Sequence, residues 1–292
     1  MNDTVTLKAL AKINLGLDVL GRRENGYHDV RMVMQTIYLY DNVTLTKTEE
    51  TGIHLECNLF YLPVDDTNIA YKAAKLLMDE FGIKEGVRIV LDKHIPVAAG
   101  LAGGSANAAA VLVGMNRLFS LGLSQEDLMK RGVTLGADVP YCVMRGTVLA
   151  EGIGESLSPL PPLPKCCVLI AKPGISVSTK TVYEKLDSQE IMVHPDIDGI
   201  LDGLDKQDLH KVAASMGNVL EAVTIGDYPV IEEIKDVMKE NGALNAMMSG
   251  SGPTVFGIFD DRAKAKQAQQ RIRELQVAKQ VYIANVHNVR RN

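Results

Sequence analysis

The sequence lacks the cysteine and histidine spacing of a metal site. Cys57 and Cys142 are isolated and Cys166 directly precedes Cys167, so no C-x-x-C pair occurs, and no histidine follows a cysteine at a zinc-like interval. We interpret the cysteines as small, buried apolar residues. Five histidines receive no role and are interpreted as surface or hydrogen-bonded core residues: His54, His94, His194, His210 and His287.

The chain also lacks a basic run. Its net charge is -5, and the basic residues form only short pairs such as Arg22-Arg23 and Arg290-Arg291. A chain with this charge distribution is not attracted electrostatically to nucleic acid or to an anionic membrane. We therefore expect neither as a partner, and an anionic ligand must be held by a local site.

No apolar run approaches the roughly 20 residues that span a bilayer. Residues 1–10 carry polar and charged side chains where a signal peptide would be apolar. We therefore expect a cytoplasmic protein. Its 292 residues, of which 46% are hydrophobic and 23% charged, are enough for two globular domains with buried cores.

The order of helical and strand patterns predicts a two-domain α+β chain. Residues 158–164 are rich in proline and predict a linker, so the domains are expected at 1–157 and 165–292. Apolar spacing and capping signals predict helices at 70–81, 105–119, from Ser124 onward, 208–223, 230–239 and 263–275. Strands are predicted at 87–92, 167–171, 254–259 and 280–286.

A glycine-rich loop, Pro96–Asn107, lies between a predicted strand and a predicted helix. Small residues let the backbone approach a ligand, and the first N–H groups of a helix can bind phosphate oxygens. The loop is neither a Walker A motif nor a G-x-G-x-x-G fingerprint. Taken alone, it fits equally well a phosphate site or a tight strand-to-helix turn.

Motifs distributed over nearly the whole chain give this loop a context. They are Ala11–Leu17, Gly26–His28, Leu135–Pro140, Pro173–Ser176 and a second glycine-rich turn, Met248–Thr254. In this order and spacing the chain resembles the GHMP kinases, and most of all the branch that acts on a cytidyl diphosphate methylerythritol. One departure is Ala106, where that branch often has a second loop serine.

The resemblance implies a ribosomal-protein-like first domain and a ferredoxin-like second domain, with the active site in the cleft between them. It also implies an ATP-dependent kinase that phosphorylates the 2-hydroxyl of 4-diphosphocytidyl-2-C-methyl-D-erythritol in the non-mevalonate isoprenoid route. Mg²⁺ would accompany ATP. Phosphoryl transfer of this kind depends on positioning and electrostatics.

The resemblance assigns the chemistry to two residues. Asp138 matches the catalytic aspartate and would accept the proton of the substrate hydroxyl. Lys12 matches the neighbouring lysine and would keep Asp138 ionised and stabilise charge on the hydroxyl oxygen. Outside these motifs, the two would be a turn residue and a surface lysine.

The resemblance also assigns the binding residues. Tyr27 and His28 would bind cytosine, Tyr183 would close the stack from the other side, and Asn14 would contact the substrate near Lys12. Ser105 would add a hydroxyl to a phosphate or to Mg²⁺. The expected ATP contacts are Pro96, Val97, Ala98, Ala99, Gly100, Leu101, Ala102, Gly103, Gly104, Ser105, Ala106, Asn107, Asn68 and Lys93.

Three alternatives remain open from the sequence. A GHMP kinase acting on mevalonate or homoserine would not need the Gly26–His28 motif, because those acceptors carry no base. A non-catalytic ligand sensor would not need both Lys12 and Asp138. An RNA-binding protein on the same first-domain fold would need a basic, aromatic face, which this acidic chain lacks.

Overall fold

A computed structural model of the chain describes residues 3–24, 26–188, 191 and 193–289. The helices are Ile69–Phe81 (α1), Gly103–Leu118 (α2), Gln125–Val133 (α3), Val139–Met144 (α4), Thr179–Leu186 (α5), Ile197–Asp205 (α6), Leu209–Ser215 (α7), Glu221–Asp227 (α8), Val230–Glu240 (α9) and Arg262–Leu275 (α10). The strands are Thr4–Arg22 (β1), His28–Thr48 (β2), Ile53–Cys57 (β3), Gly86–Asp92 (β4), Thr147–Glu151 (β5), Ser156–Pro159 (β6), Cys167–Lys172 (β7), Gly217–Asn218 (β8), Asn245–Met248 (β9), Val255–Phe259 (β10) and Gln280–Asn285 (β11).

The chain divides into two compact units that interleave along the sequence. Unit 1 contains residues 1–11, 39–97 and 102–144, and unit 2 contains residues 12–38, 98–101 and 145–292. The long strands β1 and β2 run through both units. The predicted domains, 1–157 and 165–292, are continuous segments instead, and their boundaries stay a prediction.

In unit 1, helix α1 packs against α2 and β3, and helices α3 and α4 pack against each other and against α2. Strand β4 pairs antiparallel with β2 and parallel with β3. Apolar residues on alternate positions of β4, Val87, Ile89 and Leu91, are buried. Helix α2 approaches β2 closely at Gly114, where a Cβ would lie 2.6 Å from Leu45 Cδ1. A glycine there lets the helix lie directly on the sheet.

Unit 2 contains a four-stranded antiparallel sheet in the order β11-β7-β10-β9. Numbered along the chain, these strands stand in the order 4-1-3-2, and α10 connects β10 to β11. This is the β-α-β-β-α-β arrangement of a ferredoxin-like domain. The expected α+β architecture and the ferredoxin-like second sheet are therefore confirmed.

Local capping signals located several helix ends correctly. Gly82 ends α1 in the left-handed conformation, with φ 61°. Ser124 and Asp127 form the predicted capping box of α3. Within the described residues, β6 pairs with β5 alone, and proline at the end of such an edge strand is tolerated. Part of the predicted linker is therefore extended and paired.

The single helix predicted over 208–223 is wrong. Helix α7 ends at Ser215, and Met216 is extended with φ -60° and ψ 136°. The two residues of β8 then pair in parallel with β1, Gly16 opposite Gly217 and Leu17 opposite Asn218. This long-range pairing interrupts a segment whose local apolar spacing suits a helix. Among the described residues, no helix combines the length and apolar character that a membrane span requires.

Candidate active site

The glycine-rich loop leads into helix α2 of unit 1. The N-terminus of this helix has no side-chain cap. Ala102 precedes the helix in the left-handed conformation, with φ 55° and no capping hydrogen bond. Gly104 is exposed, and Gly103 and Ser105 are half-buried. Because the first N–H groups of a helix have no intrahelical partner, this 16-residue helix presents them to solvent or to a ligand.

A buried ion pair lies beneath this helix end. Lys93 Nζ donates to Asp41 Oδ2 at 2.5 Å and to Asn107 Oδ1 at 2.8 Å, and all three side chains are buried. Asp41 Oδ1 also accepts the backbone N–H groups of His94 and Ile95. This satisfied network connects the interior of β2 with the residues that follow β4 and with the second turn of α2.

The network changes the interpretation of three predicted ATP contacts. The charged head of Lys93 and the amide of Asn107 are already engaged with Asp41. Asn68 caps α1, since its side chain accepts from the N–H of Ala70 and donates to the carbonyl of Pro63. Contacts of Asn68, Lys93 and Asn107 with ATP therefore stay predictions, and the structure adds a positioning role for each.

Asp138 lies directly before helix α4 in unit 1 and is half-buried. Its carbonyl accepts the N–H of Cys142, which begins the helix. Within the part of unit 1 that the structure describes, its carboxylate forms no hydrogen bond and no ion pair. A carboxylate with no local partner is available to accept a proton from a ligand.

Lys12 is held inside unit 2, on β1. Its side chain is only 5% exposed, and its ammonium donates to Asn14 Oδ1 at 2.6 Å. Asn14 is fully buried and its amide contacts Met32 Sδ at 3.5 Å. The backbone N–H of Lys12 donates to the carbonyl of Leu101, so the lysine is also tied to the first glycine-rich loop.

The two glycine-rich segments meet next to Lys12 within unit 2. Ser249 Oγ donates to the carbonyl of Gly100 at 2.9 Å. A Cβ added to Gly250 would lie 3.5 Å from Gly100 Cα and 3.5 Å from Lys12 Nζ. Asn218 Nδ2 donates to the carbonyls of Met248 and Gly250, which fixes the second turn. The absence of side chains thus lets the two glycine-rich segments approach each other, with the second turn next to the Lys12 ammonium.

An aromatic cluster lies at the hairpin between β1 and β2. The rings of His28 and Tyr183 have centroids 4.7 Å apart and are tilted by 37°. His28 Nε2 lies 2.6 Å from Asp187 Oδ1, and Tyr27 is 58% exposed. The structure therefore brings His28 and Tyr183 together in unit 2, next to an exposed tyrosine ring.

Both halves of the chain match GHMP kinases. The family model described as GHMP kinases N terminal domain matches residues 68–146, and the model described as GHMP kinases C terminal matches residues 200–278. A 4-diphosphocytidyl-2-C-methyl-D-erythritol kinase of Lachnospira eligens is 58% identical over 96% of this chain and 97% of that protein. The enzyme of the same name from Clostridium perfringens is 49% identical over 97% and 98%.

The chain belongs to the 4-diphosphocytidyl-2-C-methyl-D-erythritol kinase family of the GHMP kinases. A crystal structure of 4-(cytidine 5'-diphospho)-2C-methyl-D-erythritol kinase superposes with a TM-score of 0.83 at 31% identity, covering 98% of this chain and all of the other. A homoserine kinase from Cytophaga hutchinsonii shares the fold with a TM-score of 0.81 at 22% identity, over 98% and 96% of the two chains. This GHMP kinase is an ATP-dependent enzyme.

Three residues of this GHMP kinase were missed by sequence reasoning. Asp41 neutralises Lys93, Asn218 holds the second glycine-rich turn, and Asp187 pairs with His28. Each acts on a partner more than 25 residues away in the chain. Local spacing carries no signal for such pairs, although Asn218 could have been suspected from its place after Gly217.

Gly100→Ala should reduce kcat more than the strain of an alanine in the left-handed conformation would by itself. Gly100 has φ 70°, and its Cβ would lie 2.0 Å from the carbonyl oxygen of Ser249. The backbone must move away, and the turn beside Lys12 must move with it. We expect kcat to fall by about 10- to 100-fold, because small displacements of positioned groups have effects of this size.

The matched control is Gly122→Ala. Gly122 has φ 71°, but no atom lies within 4 Å of its added Cβ. The control should lose about 1 kcal/mol of unfolding free energy from the left-handed conformation and keep its kcat. Equal kcat and equal denaturant midpoints for the two variants would show that the approach of Gly100 to Ser249 has no role in the site.

Proposed function

We propose that this kinase transfers the γ-phosphoryl group of ATP to the 2-hydroxyl of 4-diphosphocytidyl-2-C-methyl-D-erythritol, a step of the non-mevalonate isoprenoid route. The observation that carries this proposal is the 58% identity, over almost the whole chain, with a relative of that name. The pairing of the His28 and Tyr183 rings supports it, because a nucleobase requires aromatic faces and polar edges.

Asp138 and Lys12 perform the acid–base and electrostatic parts of this transfer. The substrate oxygen attacks the γ-phosphorus while its proton passes to the carboxylate of Asp138, and the bond from the γ-phosphorus to the bridging oxygen breaks to release ADP. The ammonium of Lys12 stabilises the negative charge that develops on the attacking oxygen. Its hydrogen bond to Asn14 fixes the position of that charge.

The start of α2 holds the phosphates of ATP in this proposal. The uncapped N–H groups of Gly103, Gly104 and Ser105 supply donors and the positive end of the helix dipole. The remaining residues of the loop, Pro96 to Ala102, shape the approach of the backbone. Asn68, Lys93 and Asn107 support this surface from the cap of α1 and from the ion pair with Asp41.

Mg²⁺ fits this site as a companion of the nucleotide. Among the described residues, no group of three or more acidic, histidine or cysteine side chains could form a metal cage. Mg²⁺ usually takes only one or two protein ligands and completes its shell with phosphate oxygens and water. The Ser105 hydroxyl, in the first turn of α2, would be one such ligand, and the bound ion would neutralise phosphate charge.

The proposed partners are these small molecules, without nucleic acid or membrane. We propose a cytoplasmic location because ATP, the co-substrate, is available there. A mevalonate- or homoserine-type acceptor is the alternative within the same fold, and an aromatic binding site for the base distinguishes the two.

Tyr27→Ala tests whether a base binds at this cluster. Stacking on an aromatic ring is worth about 1–3 kcal/mol per base, so the KM for the cytidyl substrate should rise by roughly 5- to 150-fold while the KM for ATP stays unchanged. Tyr27→Phe keeps the ring face and should keep most of the affinity. Both KM values and the melting temperature are measured for each variant.

The exposure of Tyr27 makes this test clean. The residue is 58% exposed, so truncation should leave the melting temperature nearly unchanged. If Tyr27→Ala raised both KM values equally and lowered the melting temperature, the ring would have a packing role. The proposal of a cytidyl substrate would then lose its main structural support, and the acceptors of other GHMP kinases would have to be considered.

A further inference from the structure

Asp187 is placed where it controls the ring of His28. It caps the C-terminus of α5, and its N–H donates to the carbonyl of Tyr183 at 2.9 Å. Its Oδ1 lies 2.6 Å from His28 Nε2, and its Oδ2 lies 3.4 Å from the guanidinium of Arg22. The His28 side chain is 10% exposed, so few other groups reach it.

The pair fixes which nitrogen of His28 carries hydrogen. An ionised carboxylate can only accept a hydrogen bond, so Nε2 must donate to Asp187. In the neutral ring the other nitrogen, Nδ1, then has a lone pair and acts as an acceptor. None of the described residues of unit 2 donates to Nδ1.

The direction of this acceptor is fixed by two contacts. The ring of Tyr183 covers one face of His28 at 4.7 Å and prevents the imidazole from tilting freely. The hydrogen bond to Asp187 prevents rotation about its side-chain bonds. Nδ1 is therefore an oriented acceptor at the edge of an aromatic cluster.

Such an acceptor distinguishes two pyrimidines. Cytosine carries an amino group, a donor, at the ring position where uracil carries a carbonyl oxygen, an acceptor. A fixed acceptor attracts the first and repels the second, since two acceptors facing each other leave both unpaired. The reverse holds when Nδ1 carries the hydrogen.

We propose that Asp187 is a positioning residue that sets base specificity: by holding the proton on Nε2 of His28, it presents Nδ1 to the amino group of cytosine and selects cytidyl over uridyl substrates. This inference rests on the proposed function, because it takes the base to lie against His28. In the proposed transfer, Asp187 acts through His28 and does not contact the reacting atoms.

Asp187→Asn is the decisive variant. The guanidinium of Arg22 can only donate, so it favours the asparagine oxygen, and the amide nitrogen is left facing Nε2. This nitrogen donates to Nε2, which moves the ring proton to Nδ1 and converts the acceptor into a donor. We expect the KM for 4-diphosphocytidyl-2-C-methyl-D-erythritol to rise about tenfold and the preference over its uridyl counterpart to fall about tenfold or more. The KM for ATP and the kcat at saturating substrate should change little, which a merely structural defect would not allow.

Two companion variants separate specificity from structure. Asp187→Glu keeps a carboxylate and should recover part of the preference for the cytidyl substrate. Arg22→Gln removes the other partner of Asp187 but keeps its bond to His28, and should leave the preference unchanged. A loss of preference in Arg22→Gln equal to that in Asp187→Asn would overturn the assignment.

The proton position can be measured without substrate. Long-range ¹H–¹⁵N spectra, with His28→Gln to assign the signals, should show hydrogen on Nε2 alone in the wild type at neutral pH, and a shift toward Nδ1 in Asp187→Asn. Hydrogen on Nδ1, or on both nitrogens, in the wild type would overturn the inference.

The two proposals fail in different ways. If the wild-type enzyme neither binds nor phosphorylates the cytidyl substrate, the proposed function fails and this inference with it. If the wild type prefers the cytidyl substrate and Asp187→Asn prefers it equally, only the role of Asp187 is overturned.

Discussion

Asp138→Asn should nearly abolish phosphoryl transfer and leave the fold intact. A tertiary hydroxyl is a crowded and weakly acidic nucleophile, so its proton needs an acceptor as the new bond forms. General base catalysis is usually worth about 10²–10⁴-fold, and an amide cannot supply it. Since the Asp138 carboxylate has no described partner in unit 1, its replacement breaks no local hydrogen bond, and kcat is measured on a protein of unchanged melting temperature.

The matched control for this change is Asp236→Asn. Asp236 is an exposed residue of α9, and the same substitution there should alter neither kcat nor stability. If purified Asp138→Asn kept more than roughly a tenth of the wild-type kcat, Asp138 would not be the base.

Lys12→Met should reduce kcat by about 10²–10³-fold, because it removes a preorganised charge from the reacting oxygen. Methionine has a similar length, so the packing around the stem is largely kept. The ammonium now donates to Asn14 at 2.6 Å, and the buried carbonyl oxygen of Asn14 would lose this donor. A loss of about 1–3 kcal/mol of unfolding free energy is therefore expected as well.

Calorimetry on the same variant separates catalysis from nucleotide binding. Affinity for ATP should change only modestly, since the proposed phosphate donors are the N–H groups of α2. Lys172→Met is the control, because Lys172 is a half-buried lysine of unit 2 that also donates to carbonyl oxygens, those of Pro173 and Ile175. A large loss of ATP affinity with normal kcat in Lys12→Met would place Lys12 outside the catalytic centre.

Local signals in the sequence predicted the elements whose ends are fixed by their own residues. The capping box at Ser124 and the left-handed Gly82 are of this kind, and so is the alternation in β4. The break at Met216 was not predictable in this way, because it depends on the pairing of Gly217 with Gly16, about 200 residues earlier in the chain. Tertiary pairing there overrides helix propensity.

The residues of the site also divide into those with a local signal in the sequence and those whose partners are distant in the chain. The loop before α2 could be recognised because glycines and small residues next to a helix start have a direct physical meaning. Lys93 could be singled out, but its partner Asp41 lies 52 residues away, so its place in a buried ion pair was not predictable. The partner of His28, Asp187, is 159 residues distant and had no signal in the sequence.

The most direct test of the central claim is to identify the phosphorylated product. Wild-type enzyme with ATP and Mg²⁺ is given 4-diphosphocytidyl-2-C-methyl-D-erythritol, mevalonate and homoserine in competition, and products are followed by ³¹P NMR. Only the cytidyl substrate should acquire a new phosphomonoester, and its signal should lack splitting by a carbinol proton, because the carbon of a tertiary alcohol bears none. Phosphorylation of mevalonate or homoserine instead, or a signal split by carbinol protons, would contradict the account.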